Sequence, residues 1–117
     1  MRHRHNTVTL DRKAGPRKAL LRNLAAQVIV YERIKTTEAK AKAVRPIVER
    51  IVTKAKVNSI ANRRHLLKYL PTDNAVRKAL EVLGPRYEKR PGGYMRIIKL
   101  PQRQGDAARM AYLEFVS

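Results

Sequence analysis

The sequence contains no cysteine, and this absence excludes several kinds of chemistry at once. Disulfide bonds, thiolate zinc sites and cysteine nucleophiles cannot occur. Tryptophan is also absent, and aromatic residues make up only 5% of the 117 residues. The interior is therefore expected to consist mainly of Leu, Ile, Val and Ala, and each large aliphatic side chain buried there contributes roughly 1.5–3 kcal/mol.

Long apolar runs are missing as well. No segment approaches the ~20 apolar residues that span a membrane. The stretch Ala25–Tyr31 is interrupted by Gln27 and is not followed by a small-residue cleavage signal, so a secretory signal is not expected. The first thirty residues are basic, as in a mitochondrial transit peptide, but they lack Ser and include a helix with the pattern of a folded one. A cytoplasmic location is the expectation.

Acidic residues are scarce relative to basic ones. Lys and Arg total 27 and Asp and Glu total 9, which leaves a formal net charge of +18. The hydrophobic fraction of 44% is nevertheless high enough for a packed core, so a disordered chain is not expected. A folded protein with this excess repels itself unless an anion neutralises it.

The first half of the chain shows a helix, a short strand and a second helix. Gly15-Pro16 opens the first helix, since Pro suits the first helical position. A strand is predicted at Arg33–Thr36, and Thr36 or Thr37 then caps a helix with Glu38 in its first turn. Pro46 is expected to kink or restart that helix.

The second half is predicted to contain two more helices and two strands. The helices are placed at Ile60–Tyr69 and Asn74–Leu83, the second ended by Gly84-Pro85. The strands are Tyr94–Leu100 and Met110–Val116, joined by a long hairpin loop. The order α-β-α-α-α-β-β indicates an α+β fold, with residues 1–14 as a basic extended arm and residues 15–117 as a single globular domain.

Catalytic and metal-binding constellations are not evident, so neither an enzyme nor a cofactor or metal is predicted. The glutamates are scattered among basic residues, where ion pairing is their expected role. His3, His5 and His65 could be combined into a metal site, but they lack a fourth ligand. Gly92-Gly93 is too short for either phosphate-binding fingerprint.

Binding of a polyanion is the function that the charge favours, because Lys and Arg release condensed counterions when they neutralise phosphates. The first helix resembles a buried element more than a membrane-surface helix. Recognition-helix motifs for DNA are not evident, and the dispersed tyrosines do not favour single-stranded RNA. Folded RNA, which is recognised by shape, phosphates and 2′-hydroxyls, fits best. Two alternatives stay open: a nucleoid-type DNA binder, and an RNA-processing enzyme with His3 or His5 as its acid or base.

Several short motifs, in order along nearly the whole chain, resemble the bacterial large-subunit ribosomal protein seventeen family. They include Met1-Arg2-His3-Arg4, the Gly-Pro-Arg-Lys-Ala-Leu-Leu-Arg-Asn-Leu segment from Gly15, Ile34-Lys35-Thr36-Thr37, Leu83-Gly84-Pro85-Arg86-Tyr87 and Arg90-Pro91-Gly92-Gly93-Tyr94-Met95-Arg96-Ile97. The resemblance implies a structural constituent of the large ribosomal subunit that binds its rRNA near the peptide tunnel exit, beside other ribosomal proteins. It also implies a two-layer α/β domain with a small mixed sheet.

The candidate RNA-binding residues are basic side chains in the arm, near helix starts, in loops or on strands. Arg side chains can bridge phosphates of RNA segments that would otherwise repel each other. No membrane or small-molecule substrate is expected as a partner. The residues are Arg2, His3, Arg4, Lys13, Arg17, Lys18, Arg22, Lys35, Arg63, Arg64, Arg86, Arg96 and Arg103.

Overall fold

The computed structural model describes residue 10 and residues 12–117. Of the arm predicted for residues 1–14, residues 1–9 and 11 lie outside the described residues. Helix α1 spans Ala14–Tyr31, with Gly15-Pro16 in its first turn as predicted. Its buried face includes Leu24, Val28 and Ile29.

Strand β1 and helix α2 follow α1 with almost no connecting loop. Strand β1 spans Arg33–Thr37 and α2 spans Glu38–Ala55. Thr37 ends the strand and caps the helix, because its side-chain oxygen accepts a hydrogen bond from the backbone N–H of Lys40 at 3.4 Å. The helix does not restart at Pro46, contrary to one of the two expectations. Pro46 is exposed, so the carbonyl group that loses its helical partner can bond to water.

Helix α3 spans Ile60–Tyr69, as predicted, and Ser59 caps it by accepting a hydrogen bond from the N–H of Asn62 at 3.1 Å. Helix α4 spans Asp73–Lys78 and continues through a π-helical turn, Ala79–Leu83, into a last turn, α5, at Gly84–Arg86.

The predicted stop at Gly84-Pro85 is therefore wrong. Gly84 keeps helical dihedral angles (φ −55°, ψ −56°), and its N–H donates to the carbonyl of Ala79 across the wider turn. Glycine at this position allows a close approach to α2 rather than a chain reversal.

The sheet has three strands in the order β1-β3-β2, with β2 at Met95–Leu100 and β3 at Met110–Phe115. Both neighbouring pairs are antiparallel; Leu113 stands opposite Ile34 of β1 and Ile97 of β2. The expectation of a mixed sheet is therefore wrong. Strands β1 and β2 run in the same direction, but β3 lies between them and keeps them from pairing.

Helices cover one face of this sheet, which confirms the α+β class and the element order. The core joins Val48 and Val52 of α2 to Leu113 and Phe115 of β3, with α1 and α4 behind α2. None of the described helices is long and apolar enough to cross a membrane.

Candidate nucleic-acid interface

A cleft of about 590 Å³ lies between α1, α2 and α3. It lies where α2 packs against both other helices. We call it the cationic cleft, and it is lined by Lys18, Leu21, Arg22, Ile47, Arg50, Ile51, Lys54, His65, Leu66, Lys68 and Tyr69.

Among the residues that the structure describes, five cationic side chains line this cleft and no carboxylate does. Lys18 and Arg22 come from α1 and were predicted from the sequence. Arg50, Lys54 and Lys68 were missed. Arg50 and Lys54 are four residues apart, so they share one face of α2, and this spacing was the available signal. A wall of this charge attracts anions, especially where neighbouring protein lowers the local dielectric constant.

The carboxylates are elsewhere, and most are paired with basic residues. Glu32 accepts a hydrogen bond from Arg86, and the Nζ of Lys78 lies 2.9 Å from its other oxygen. Hydrogen bonds from Arg86 and Lys78 lower the pKa of the Glu32 carboxyl to about 2. Glu38 pairs with Lys42 at 3.0 Å, and this hydrogen bond lowers its pKa as well.

Two more carboxylates neutralise residues that were predicted to bind RNA. Glu114 lies 2.9 Å from Arg96 on the outer face of the sheet. Asp106 lies 2.6 Å from Arg103 in the hairpin loop, and that guanidinium lowers the pKa of Asp106 to about 2. Arg86, Arg96 and Arg103 thus already have carboxylate partners in the folded protein.

The other predicted residues fall into three groups. Arg17, Arg63 and Arg64 are on α1 and α3, the same helices that flank the cleft, and Lys13 directly precedes α1. Lys35 is exposed on β1, away from the cleft. The remaining candidates lie outside the described residues: Arg2, His3 and Arg4.

Tyr69 places an aromatic ring among the cations of the cleft. The guanidinium carbon of Arg22 lies 5.4 Å from the centroid of the Tyr69 ring, within the range of a cation–π contact. Burial raises the pKa of Tyr69, so its hydroxyl remains protonated at neutral pH. The cleft therefore offers cationic hydrogen-bond donors and an aromatic ring, with no carboxylate or thiol among its described lining residues.

Metal binding has no support in the part of the chain that the structure covers. No group of three His, Cys, Asp or Glu side chains comes together among residues 12–117. His65 lines the cationic cleft, and His3 and His5 fall in the undescribed segment.

Comparison with known proteins places the chain in a family. The model of the family described as ribosomal protein L17 matches residues 20–116. A protein from Hydrogenobaculum sp. (strain Y04AAS1) is 49% identical over 117 residues, covering 99% of both chains. One from Rickettsia bellii is 47% identical over 116 residues, covering 99% of this chain and 82% of the relative.

Both relatives carry the name large ribosomal subunit protein bL17, as does a relative from Bdellovibrio bacteriovorus. The Bdellovibrio protein is 48% identical over 114 residues, covering 97% of this chain and 63% of the relative. These are names of ribosomal proteins and not of enzymes, in agreement with the prediction from the sequence. On the extent and identity of these matches, the chain belongs to the ribosomal protein L17 family.

Proposed function

We propose that the protein is a non-catalytic constituent of the large ribosomal subunit that binds and stabilises folded large-subunit rRNA by neutralising its phosphates. The observation that supports this most directly is the separation of charge. Among the described residues, the cations that line the cationic cleft form no ion pair with a carboxylate, whereas Glu32, Glu38, Asp106 and Glu114 pair with basic residues elsewhere. Phosphates in the cleft relieve the mutual repulsion of its cations and release counterions from the RNA.

The start of α1 adds to this argument. The partial positive charge of a helix N-terminus favours acidic side chains, yet the first turn of α1 contains none. Arg17 is in this turn instead, and Lys18 directly follows it. This placement of basic residues destabilises α1 in the isolated protein. A phosphate bound near the cleft offsets that cost in free energy.

The test is the salt dependence of binding to protein-free large-subunit rRNA. In the double variant Lys18→Gln plus Lys54→Gln, both changes remove exposed cations of the cleft. We expect affinity to fall about tenfold or more, because the variant cannot form those charged hydrogen bonds to phosphate. The slope of log K against log salt should become less steep by about 0.9 for each phosphate that the variant no longer neutralises. Filter binding at several salt concentrations measures both quantities.

The matched control is the double variant Lys42→Gln plus Arg77→Gln. It removes the same charge, but Lys42 and Arg77 already pair with Glu38 and Asp73 at 3.0 and 3.1 Å. We expect this control to keep most of the affinity. Equal losses in the two double variants would mean that net charge alone governs binding, and duplex DNA that competes as well as rRNA would favour the nucleoid alternative.

The finer parts of the proposal concern position in the cell and in the particle. We infer a cytoplasmic location within the ribosome, near the peptide tunnel exit and in contact with neighbouring large-subunit proteins. Support for this comes from the family to which the chain belongs. The predicted arm and its residues Arg2, His3 and Arg4 remain candidate rRNA contacts on the same grounds.

A further inference from the structure

The floor of the cationic cleft is apolar, which contact with phosphates alone does not require. Between the cations lie the side chains of Leu21, Ile47, Ile51 and Leu66, together with the ring of Tyr69. Phosphate oxygens gain nothing from aliphatic carbon; they bind Arg, Lys, hydroxyl and amide groups. Sites for small ligands are typically lined by apolar side chains, with a few polar or charged groups that fix the orientation of the ligand. A ligand that suits this cleft has a flat, weakly polar part for the floor and anionic groups for the edge. A nucleotide has both parts.

Among the described residues, Tyr69 is the one tyrosine that lines this cleft. Tyr87 and Tyr94 are buried, and their ring centroids lie 5.2 Å apart in the core. Tyr112 is on strand β3, outside the cleft, and the guanidinium carbon of Arg33 lies 3.7 Å from its ring centroid. Tyr69, in contrast, is half-buried and lines the cleft among its cations. A base that enters the cleft therefore meets a ring that has not been buried within the core.

The cleft also has the size and the neighbouring groups that a base requires. Its volume of about 590 Å³ is within the range of clefts that hold small organic ligands. Aromatic rings and guanidinium planes both stack on unpaired bases, and Arg22 stands 5.4 Å from the Tyr69 ring centroid. Lys54 on α2 and Lys68 on α3 can hold the phosphates on either side of that base.

We propose that the cationic cleft holds one unstacked nucleotide of the bound RNA, with its base on the apolar floor beside Tyr69 and its flanking phosphates on the cationic rim. This inference rests on the proposed function, because it specifies how the same RNA is held. Bulges and loops are the parts of folded RNA whose bases can be splayed out in this way. The cleft then selects RNA by shape as well as by charge, since a continuous duplex offers it no free base.

The experiment compares wild type with Tyr69→Leu and Tyr69→Phe on protein-free large-subunit rRNA. Leu retains an apolar side chain but removes the ring, whereas Phe retains the ring and removes the hydroxyl. We expect Tyr69→Leu to weaken binding roughly 5- to 150-fold, the range found for loss of one stacked base. Its salt slope should stay that of wild type because every cation of the cleft is retained. Tyr69→Phe should bind nearly as wild type does.

Base-specific chemical probing identifies the nucleotide independently of affinity. With dimethyl sulfate and a carbodiimide, we expect an unpaired base to be protected in the wild-type and Tyr69→Phe complexes and reactive in the Tyr69→Leu complex. Circular dichroism and thermal unfolding verify that each variant folds. If Tyr69→Leu does not fold, the wild-type complex still decides, because a complex that protects no unpaired base overturns the proposal.

The outcomes separate this inference from the proposed function. If Tyr69→Leu binds as wild type does while Lys18→Gln plus Lys54→Gln loses affinity, the nucleotide site is wrong and phosphate binding stands. If neither variant loses affinity, the cleft does not bind the RNA, and both the nucleotide site and the cleft as the phosphate-binding surface are wrong.

Discussion

Glu32 shows how one residue can join two parts of the fold at a local cost. It follows α1 with φ of 64°, in the left-handed region where an L side chain costs roughly 1 kcal/mol or more. Its carboxylate accepts hydrogen bonds from Arg86 and Lys78, and Lys78 also donates to the carbonyl of Val30 at 2.7 Å. These contacts hold the end of α1 against the helix that runs from α4 to α5, and they offset the backbone strain.

Replacing this carboxylate should destabilise the protein in a pH-dependent way. We expect Glu32→Gln to lower the free energy of unfolding by about 1 kcal/mol near neutral pH; the side chain is 35% exposed, so solvent screens the pair. The folded-state pKa of about 2 lies below the ordinary value of 4.5. The stabilisation by the Glu32 carboxylate is therefore fully present above pH 4.5, and it is lost as the pH falls toward 2.

Urea unfolding of wild type and Glu32→Gln across this pH range measures the effect. The difference between the two proteins should shrink as the pH falls from neutral toward 2. A difference that stays constant over that range would show that the charge of Glu32 is not what stabilises this junction.

Local interactions of single residues could be predicted, but long-range pairs could not. Ser59 and Thr72 directly precede α3 and α4, where Ser and Thr are favoured as caps, and each accepts a hydrogen bond from a backbone N–H three residues later. The partners of Arg86 and Arg96 lie 54 and 18 residues away along the chain. Nothing in the spacing of those residues indicates which carboxylate the fold brings to them.

At the scale of elements, Gly84 sets how closely the helix from α4 to α5 passes the end of α2. A Cβ at Gly84 would overlap the carbonyl oxygen of Ala55 and would lie 2.9 Å from its carbonyl carbon. Gly84 has helical dihedral angles, which any residue can adopt, so its backbone conformation does not require glycine. Glycine is required instead because the two helices pack so closely at this position.

We therefore expect Gly84→Ala to destabilise the protein even though alanine favours a helix by about 1 kcal/mol over glycine. The overlap involves backbone atoms, which cannot rotate away, and overpacking of this kind costs about 1–3 kcal/mol. The free energy of unfolding, measured in urea, should fall by up to about 2 kcal/mol.

Gly15→Ala is the control. Gly15 is in the first turn of α1, and no atom lies within 4 Å of a Cβ added there, so this variant should be as stable as wild type or more stable. A stabilised Gly84→Ala protein would contradict the close approach.

Elements were predictable from the sequence where local chemistry determines them. The predicted bounds of α3 agree with the structure, and β1 is one residue longer than predicted, because caps and apolar periodicity are local signals. The continuation through Gly84-Pro85 was not predictable, since Gly followed by Pro is a common signal for the end of a helix. The expectation of a mixed sheet was wrong for a similar reason: the antiparallel pairing of β1 with β3 joins segments more than seventy residues apart.

At the scale of the whole molecule, the excess of charge is a property of the sequence, whereas its location is a property of the fold. The composition was sufficient to predict a polyanion partner. Which cations act together could not be predicted, because Lys18, Arg50 and Lys68 meet only when α1, α2 and α3 pack. The apolar floor beside Tyr69 was hidden for the same reason: in the sequence its residues resemble ordinary core positions.

This distribution of charge leads to a prediction for the free protein: added salt should stabilise it. Salt weakens the exposed ion pairs, but each contributes only about 0–1 kcal/mol. Salt also weakens the repulsion among the basic residues, whose excess leaves a net charge of +18. We expect the weaker repulsion to dominate and the Tm to rise by roughly 4 °C between about 0.05 and 0.5 M sodium chloride, equivalent to about 1 kcal/mol.

The rise in Tm should be smaller in Lys18→Gln plus Lys54→Gln, which has fewer repelling cations in the cleft, than in the control Lys42→Gln plus Arg77→Gln. Calorimetry measures this, and a Tm that falls steadily with salt would show that the ion pairs stabilise the fold more than the excess charge opposes it.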